Sequence, residues 1–353
     1  MRIFHTADIH LKEYADERWH TLEKIVDVAR QEKIDLLIIS GDLFDKNYEA
    51  DKLRAKIRRL FSKTGFKILI IPGNHDQDSY PPGFYFGEDV KILRDLKKPF
   101  ENQQLRVWGF PFESIDSEKI LYKLYLLGQD LRRDKKNILL YHGELLDSFF
   151  SRKDFGDEGR ERYMPLKISY FENLNLDYVL AGHFHSKFEV FKLERGGYFI
   201  YPGSPLSITK REIGKRRANI FELGKPPQAY PLKTPYFEEV IITFNPLKRR
   251  NPLEEVKERV SKLEAEAKII LTVNGFVDGQ VWSLNEEELV EKIKELTVAR
   301  CVEQHFEFKD ISKILTDDLW LSFKEKMENS GQSQEAKKRI EEVAIQAFTE
   351  RRQ

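Results

Sequence analysis

The feature that most limits the fold is a series of short apolar runs, each closed by an acid, an amide or a histidine. Arg2–Ala7, Asp35–Ser40 (DLLIIS) and Lys67–Ile71 (KILII) read as strands. Between them Trp19, Leu22, Ile25, Val26 and Ala29, then Leu53, Ile57, Leu60 and Phe61, recur at helical spacing. Strand–helix–strand–helix–strand implies right-handed crossovers and a mainly parallel sheet covered on both faces. Further strands are expected at Arg106–Phe110, Asn137–Tyr141 and Leu176–Ala181. Close-set runs at Phe188–Leu193, Tyr198–Tyr201 and Ala218–Leu223 read as antiparallel hairpins. The expected class is α/β, a two-sheet β-sandwich flanked by helices.

With 353 residues the chain is too long for one typical domain. The Pro- and Gly-rich stretch Leu223–Pro235 marks a boundary. Residues 1–225 form the large unit. Residues 236–310 read as a small α+β capping domain: strand Phe237–Phe244, a helix with Asn251 as N-cap and Pro252 at its first position, strand Lys268–Val273, a helix capped by Asn285, and strand Ala299–Phe308. Residues 316–353 form a separate helical hairpin with Thr316 as N-cap and a break at Ser330-Gly331.

The 59 basic side chains equal the 59 acidic ones, which argues against a wholly basic DNA-coating protein but leaves room for a local basic face. The single cysteine, Cys301, excludes an internal disulfide. No apolar run reaches the roughly 18–20 residues needed to span a bilayer, and MRIFHTAD reads as a strand instead of a signal peptide, so a cytoplasmic protein is expected.

Five of the eight histidines, His10, His75, His142, His183 and His185, fall at predicted strand ends, in TADIH, GNHD, YHG and GHFH; GDLFD adds acids at a further strand end. Ligand sites in open α/β sheets form at the carboxyl ends of strands, so five segments ending alike predict one pocket. Asp8, His10, Asp42, Asn74, His142, His183 and His185 are candidate metal ligands. The set is carboxylate, amide and imidazole without thiolate, which suits Mn²⁺, Fe²⁺ or Zn²⁺. Seven ligands are too many for one four-coordinate ion and fit two ions sharing a carboxylate. Gly41, Gly73, Gly143 and Gly182 permit tight turns and close backbone approach there. Each motif alone is weak; their fixed order after apolar strands carries the signal.

In that order, D-x-H, G-D, G-N-H-D, H and G-H-x-H resemble the signature of the calcineurin-like metallophosphoesterases. HTADIHL, SGDLFD, PGNHD and the downstream YPGSP are similar to the SbcD/Mre-eleven branch of DNA double-strand-break repair nucleases. Lys12 departs from the glycine that members often carry after H-L. The resemblance implies two Mn²⁺ ions. Asp8, His10, Asp42 and His185 would hold one, Asp42, Asn74, His142 and His183 the other, with Asp42 as bridge. His75 would face the substrate as the catalytic residue assisting the leaving sugar oxygen. No Ser or Cys nucleophile is then needed, which removes Ser204, Ser207 and Cys301. The implied activity is manganese-dependent exonuclease and single-strand endonuclease action on DNA ends; the alternative on the same core is a phosphatase or cyclic-nucleotide phosphodiesterase. A homodimer and an SMC-like ATPase partner of the SbcC/Rad-fifty type are also implied, and no membrane association.

Lys210, Arg211, Lys215, Arg216 and Arg217 form either a phosphate-contacting strip or a solvated loop, with Lys248, Arg249 and Arg250 as a weaker second cluster. Tyr80, Phe84, Tyr85 and Phe86 either stack on unpaired bases or pack their own loop, the latter slightly favoured. Phe149–Tyr163 reads as a mobile polar surface loop. Asp45 and Asp76 stand beside ligands, as supporting hydrogen-bond acceptors or plain turn residues. His5, His20 and His305 are read as structural or surface residues. In the tail, Leu319, Trp320, Phe323 and Met327, then Ile340, Val343, Ala344, Ala347 and Phe348, are read as two apolar stripes. They either fold back onto the capping domain or, as favoured, dock on the partner's coiled coil.

Overall fold

The computed structural model describes residues 1–45, 50–147, 163–248 and 250–350. Arg249 and all of the expected surface loop except Tyr163 lie outside the described residues. The chain divides into two compact units, Met1–Phe237 and Glu238–Gln353.

The first unit runs β1 (Arg2–Thr6), α1 (Glu17–Gln31), β2 (Leu36–Ser40), α2 (Ala50–Leu60), β3 (Lys67–Ile71), β4 (Val90–Ile92), β5 (Phe100–Glu101), β6 (Leu105–Phe110), α3 (Ser117–Asp130), β7 (Lys136–His142), β8 (Tyr178–Gly182), β9 (Glu189–Lys192), β10 (Tyr198–Tyr201), β11 (Arg217–Glu222) and β12 (Ala229–Pro231). Among the described residues these make two six-stranded sheets, ordered β12-β11-β1-β2-β3-β4 and β5-β6-β7-β8-β10-β9. β1 to β4 are mutually parallel, as are β6, β7, β8 and β10.

Strand periodicity explains the unbroken apolar runs. In β2, Leu36 and Ile38 enter the core between the sheets, while Leu37 and Ile39 join the core under α1 and α2. In β7, Ile138 and Leu140 face the first sheet, and Leu139 and Tyr141 face the α3 side. A strand buried on both faces has no polar face to show. Each such Leu or Ile contributes about 1.5–3 kcal/mol by burial. The two-sheet, helix-flanked class is therefore the one observed.

Three features differ from the sequence reading. β11 does not hairpin with β10; it crosses to the other sheet and runs antiparallel to β1. Residues 229–231, within the expected boundary stretch, add the edge strand β12 to that sheet. α3 was not anticipated. Its outer face carries Leu121, Tyr122, Tyr125 and Leu126, all exposed, so its sequence lacks the polar stripe that reveals an amphipathic helix.

The second unit contains β13 (Tyr236–Phe244), α4 (Pro252–Ser261), β14 (Ala267–Val277), α5 (Gly279–Trp282), α6 (Glu286–Thr297), β15 (Cys301–Asp310), α7 (Ser312–Leu315), α8 (Asp318–Glu328) and α9 (Gln334–Glu350). Its three-stranded sheet is ordered β13-β14-β15. Val256 and Val260 of α4, with Leu289 and Ile293 of α6, pack on Ile242, Ile269 and Leu271. Asn251 caps α4 ahead of Pro252, and Asn285 forms a capping box with Glu288 on α6.

The tail departs from its reading in two respects. Asp317, not Thr316, caps α8, because Asp317 Oδ1 accepts from Leu319 N at 2.9 Å while Thr316 ends α7. The stripes also split. Trp320, Phe323 and Phe348 turn inward with Ile345, and their cluster includes Leu247 and Phe276 of the α+β part. Met327 is buried too. Leu319, Ile340, Val343 and Ala347 remain exposed. At about 100° per residue, 345 and 348 share one side of α9, and 340, 343 and 347 another. Trp320 lies 5.6 Å from Phe348, centroid to centroid, edge to face, which selects the inward side. No described helix is long and apolar enough to cross a membrane.

Candidate metal centre

Every candidate ligand sits at the carboxyl end of a parallel strand. Asp8 and His10 follow β1, Asp42 follows β2, Asn74 follows β3, His142 ends β7, and His183 and His185 follow β8. Asp8, His10, Asp42, His142, His183 and His185 are buried; Asn74 and His75 are partly buried.

The backbone is strained at four of them. Asp8, His10, Asp42 and His183 take φ of 57°, 52°, 51° and 99°, four of nine non-glycine residues with left-handed backbone among those described. Such conformations cost about 1–3 kcal/mol each and persist where surroundings over-determine them. Here the loops are tied by Asp76, whose carboxylate accepts from Gly73 N (2.7 Å), Leu43 N (2.8 Å), Phe44 N (3.2 Å) and Tyr80 Oη (2.7 Å). Asp76 thus clamps the loop after β2 to the loop after β3. Burial, reinforced by Asp42, raises its pKa to about 6.

The glycines serve neighbouring side chains. A β-carbon on Gly73 would lie 2.1 Å from Asp42 Oδ1, and one on Gly41 would lie 2.0 Å from the ring of His142. The space they leave is filled by candidate ligands.

Histidine tautomers follow from outer contacts. His142 Nδ1 is 2.8 Å from the carbonyl of Ser40, which only accepts, so Nδ1 carries the proton. Its Nε2 then faces Asp42 Oδ2 at 3.2 Å and Asn74 Oδ1 at 2.9 Å. His185 Nδ1 lies 3.4 Å from the Glu212 carboxylate, so its Nε2 also points inward, 3.3 Å from His10 Nε2. His10 Nδ1 faces Asp45 at 3.7 Å. Asn74 Oδ1 lies 3.3 Å from His183 Nδ1.

Buried acceptors are thus turned on one another. Asp42 Oδ1 accepts from His75 N at 2.9 Å, whereas buried Oδ2 receives no hydrogen bond. Burial disfavours charge on Asp42, but His142 beside it overrides this and holds the carboxyl below the usual range. The same pairing raises His142 despite its burial. Burial raises Asp8 to about 6 and lowers His10 to about 4. Converging donors of this kind match a divalent cation. Asp8, His10 and His185 form one group with ligand atoms within 4.8 Å of one another; Asp8, Asp42 and His142 form a second, and His10, Asp45 and His75 a third nearer the rim. The donor set therefore fits metal ions.

His75 stands at the rim, its ring 4.6 Å from that of His10 and its Nδ1 3.7 Å from Asp45 Oδ1. Asp45 also pairs with Arg18 (2.7 Å) and Lys12 (2.8 Å). Lys12 thereby stands in a defined contact.

The basic strip divides. Lys210, Arg211, Lys215 and Arg217 are exposed. Arg216 is not: it is buried, donating from Nε to Ser204 O (3.0 Å), from Nη1 to Ser186 O (3.1 Å) and from Nη2 to His185 O. Its guanidinium holds the loop that carries His185, which removes it from the DNA-contact set. Glu212, not singled out in the sequence, is also buried. The only signal was an acid alone among basic residues. Tyr80 and Phe86 pack against Phe44, with centroids 5.9 and 6.1 Å away, and of the four aromatics in that loop only Tyr85 is largely exposed. His5 is buried in the core, and His20 and His305 pair with Glu23 and Glu303 at the surface.

A family model described as calcineurin-like phosphoesterase matches residues 1–187. The chain is 24% identical over 285 residues to the DNA double-strand break repair protein Mre11 of Sulfurisphaera tokodaii, covering 73% of this chain and 69% of that protein. It is 23% identical over 253 residues to the SbcD component of the SbcCD nuclease of Staphylococcus epidermidis, covering 62% and 64%. The matches span about two thirds of the length of these relatives. A solved structure from Thermus thermophilus aligns with TM-score 0.41 and 16% identity over 62% of this chain and 92% of that one.

Proposed function

Because the chain belongs to the calcineurin-like phosphoesterase family, we propose that it is a two-metal DNA nuclease of the Mre11/SbcD type, acting on DNA ends during double-strand-break repair. The observation that supports the two-metal reading is that Asp8, His10, Asp42, His142 and His185 fall into two groups of converging donors that share Asp8, with the buried Asp42 Oδ2 receiving no hydrogen bond. The relatives' names favour DNA over a small phosphate ester.

Asp8, His10, Asp42 and His185 would hold one ion, and Asp42, Asn74, His142 and His183 the other, with Mn²⁺ the proposed metal. Bound divalent cations supply charge for the phosphoryl oxygens and lower the pKa of an attacking water. The protein's part is to hold that geometry. His75, beside the ligand set but not in it, donates a proton to the departing sugar oxygen, an effect worth about 10²–10⁴-fold. Lys210, Arg211, Lys215 and Arg217 contact backbone phosphates from the exposed side of the loop.

The hairpin partner is an SMC-like ATPase, met by the exposed residues Leu319, Ile340, Val343 and Ala347, with Trp320, Phe323, Met327 and Phe348 shaping the hairpin from inside. A homodimer rests on family resemblance alone, and light scattering at micromolar concentration tests it.

The deciding experiment is incubation with Mn²⁺ and end-labelled duplex and single-stranded DNA, beside a phosphomonoester and a small phosphodiester. DNA cleavage is expected, and product lengths give the balance of exonuclease and endonuclease action. Turnover of the monoester with DNA left intact overturns the reading in favour of a phosphatase.

A further inference from the structure

Two residues of the basic loop turn inward and grip the same histidine from opposite ends. Glu212 meets the ring of His185 through Oε1, 3.4 Å from Nδ1. Arg216 takes the backbone carbonyl of His185 through Nη2. The two are linked by Ser204 Oγ, which lies 3.0 Å from Glu212 Oε2 and 3.0 Å from Arg216 Nη2. Both charged side chains are buried. Burying a carboxylate and a guanidinium is costly unless each is well bonded; here Glu212 is bonded to loop amides and His185, and Arg216 to three backbone carbonyls.

The pairing goes beyond what the loop needs in order to fold. Glu212 Oε2 accepts from Ile208 N at 2.8 Å, and Oε1 lies 3.2 Å from both Thr209 N and Thr209 Oγ1. An Asn or Ser caps a turn of this kind without a buried charge. Glutamate has the added reach to the imidazole. Three of the four candidate histidine ligands have different outer partners. His142 has a neutral carbonyl, and His10 has Asp45, whose charge is shared with Arg18 and Lys12. His185 has a fully buried carboxylate.

We infer that Glu212 is a positioning residue: it fixes His185 as the Nδ1–H tautomer, aims the Nε2 lone pair into the pocket and raises its basicity as a ligand, while Arg216 holds the backbone carbonyl of His185. An imidazole that donates its outer N–H to a carboxylate is a stronger and better-oriented metal ligand, and loss of such a partner typically costs about 10–100-fold in metal affinity. The inference rests on the two-metal reading only for its metal-affinity part; the tautomer claim holds for the protein by itself.

The experiment uses the full chain with ¹⁵N-labelled histidine, metal-free, and reads the His185 ring nitrogens by NMR. Mn²⁺ calorimetry is run separately on the same variants. The wild-type protein is expected to show protonated Nδ1 and unprotonated Nε2 at His185. Glu212→Gln keeps an acceptor for the loop amides and the imidazole but removes the charge. It should preserve the tautomer and weaken one of two ions about tenfold. Glu212→Ala should lose the single tautomer and weaken that ion about a hundredfold, leaving the other unchanged. Ser204→Ala, which loosens the loop without touching the ring, should leave the His185 nitrogen shifts as in the wild type. Persistence of the Nδ1–H tautomer with both ions at wild-type affinity in Glu212→Ala overturns the proposal, as does an equal tautomer loss in Ser204→Ala. Should Glu212→Ala fail to fold, Glu212→Gln decides: unchanged affinity for both ions then overturns it. A wild-type protein that binds no Mn²⁺ refutes the two-metal reading and leaves the tautomer test standing.

Discussion

The strand-end pocket and the C-terminal hairpin solve opposite problems. In the pocket, polar groups are buried and the backbone is strained to aim them, with Asp8, His10, Asp42 and His183 all left-handed. In the hairpin, the buried groups are Trp320, Met327 and Ile345, and apolar residues are also left in solvent, with Val343 67% and Leu319 58% exposed. The pocket costs folding energy, which the hydrogen bonds of Asp76 to the loops after β2 and β3 offset in part. The hairpin is stabilised by its own core, and its outer stripe adds nothing to that until something covers it. The proposed function places the work of the first region in what is buried, and that of the second in what is not.

The sharpest way to break this contrast is Asp42→Ala. With the shared carboxylate gone, both ions should be lost and DNA cleavage should fall roughly a thousandfold or more. Two ions by calorimetric titration of this variant would end the bridging assignment. His75→Ser comes next: both ions retained, cleavage down by about 10²–10⁴-fold. Loss of an ion in that titration would make His75 a ligand instead of a proton donor.

The hairpin responds in stability instead of catalysis. Trp320→Ala removes the ring that packs against Phe323 and Phe348, and should destabilise the second unit by about 3–5 kcal/mol. Mn²⁺-dependent cleavage of short DNA should remain. Thermal unfolding followed by fluorescence checks the first, and the nuclease assay the second; a stable variant would mean that the packing of Trp320 is incidental. The smallest effect is expected from Ile340→Ser with Val343→Ser, at about 0.5 kcal/mol or less each for exposed sites. Capture of the SMC-like ATPase should nevertheless be lost. Capture at wild-type affinity would remove the outer stripe as the docking face.

The same contrast explains what the sequence disclosed. Asp8, His10, Asp42, Asn74, His142, His183 and His185 were legible because a parallel strand fixes where its end points, so motif and position coincide. The α8 and α9 stripes were legible only as apolar content. Ile340 and Phe348 both read as hydrophobic, and which of them faces inward was decided by Trp320 and Ile345, through contacts that no spacing rule specifies. α3 was missed because Tyr122 and Tyr125 sit on its exposed side. Arg216 and Glu212 were hidden for the opposite reason. A charged loop reads as solvated, and only the packed structure shows two of its charges facing His185.

Anomalous scattering from crystals soaked in Mn²⁺ tests the two-metal centre most directly. Two peaks are predicted, one bounded by Asp8, His10, Asp42 and His185, the other by Asp42, Asn74, His142 and His183, with the Asp42 carboxylate touching both. A single peak at saturating Mn²⁺, or two peaks of which Asp42 touches only one, would contradict it.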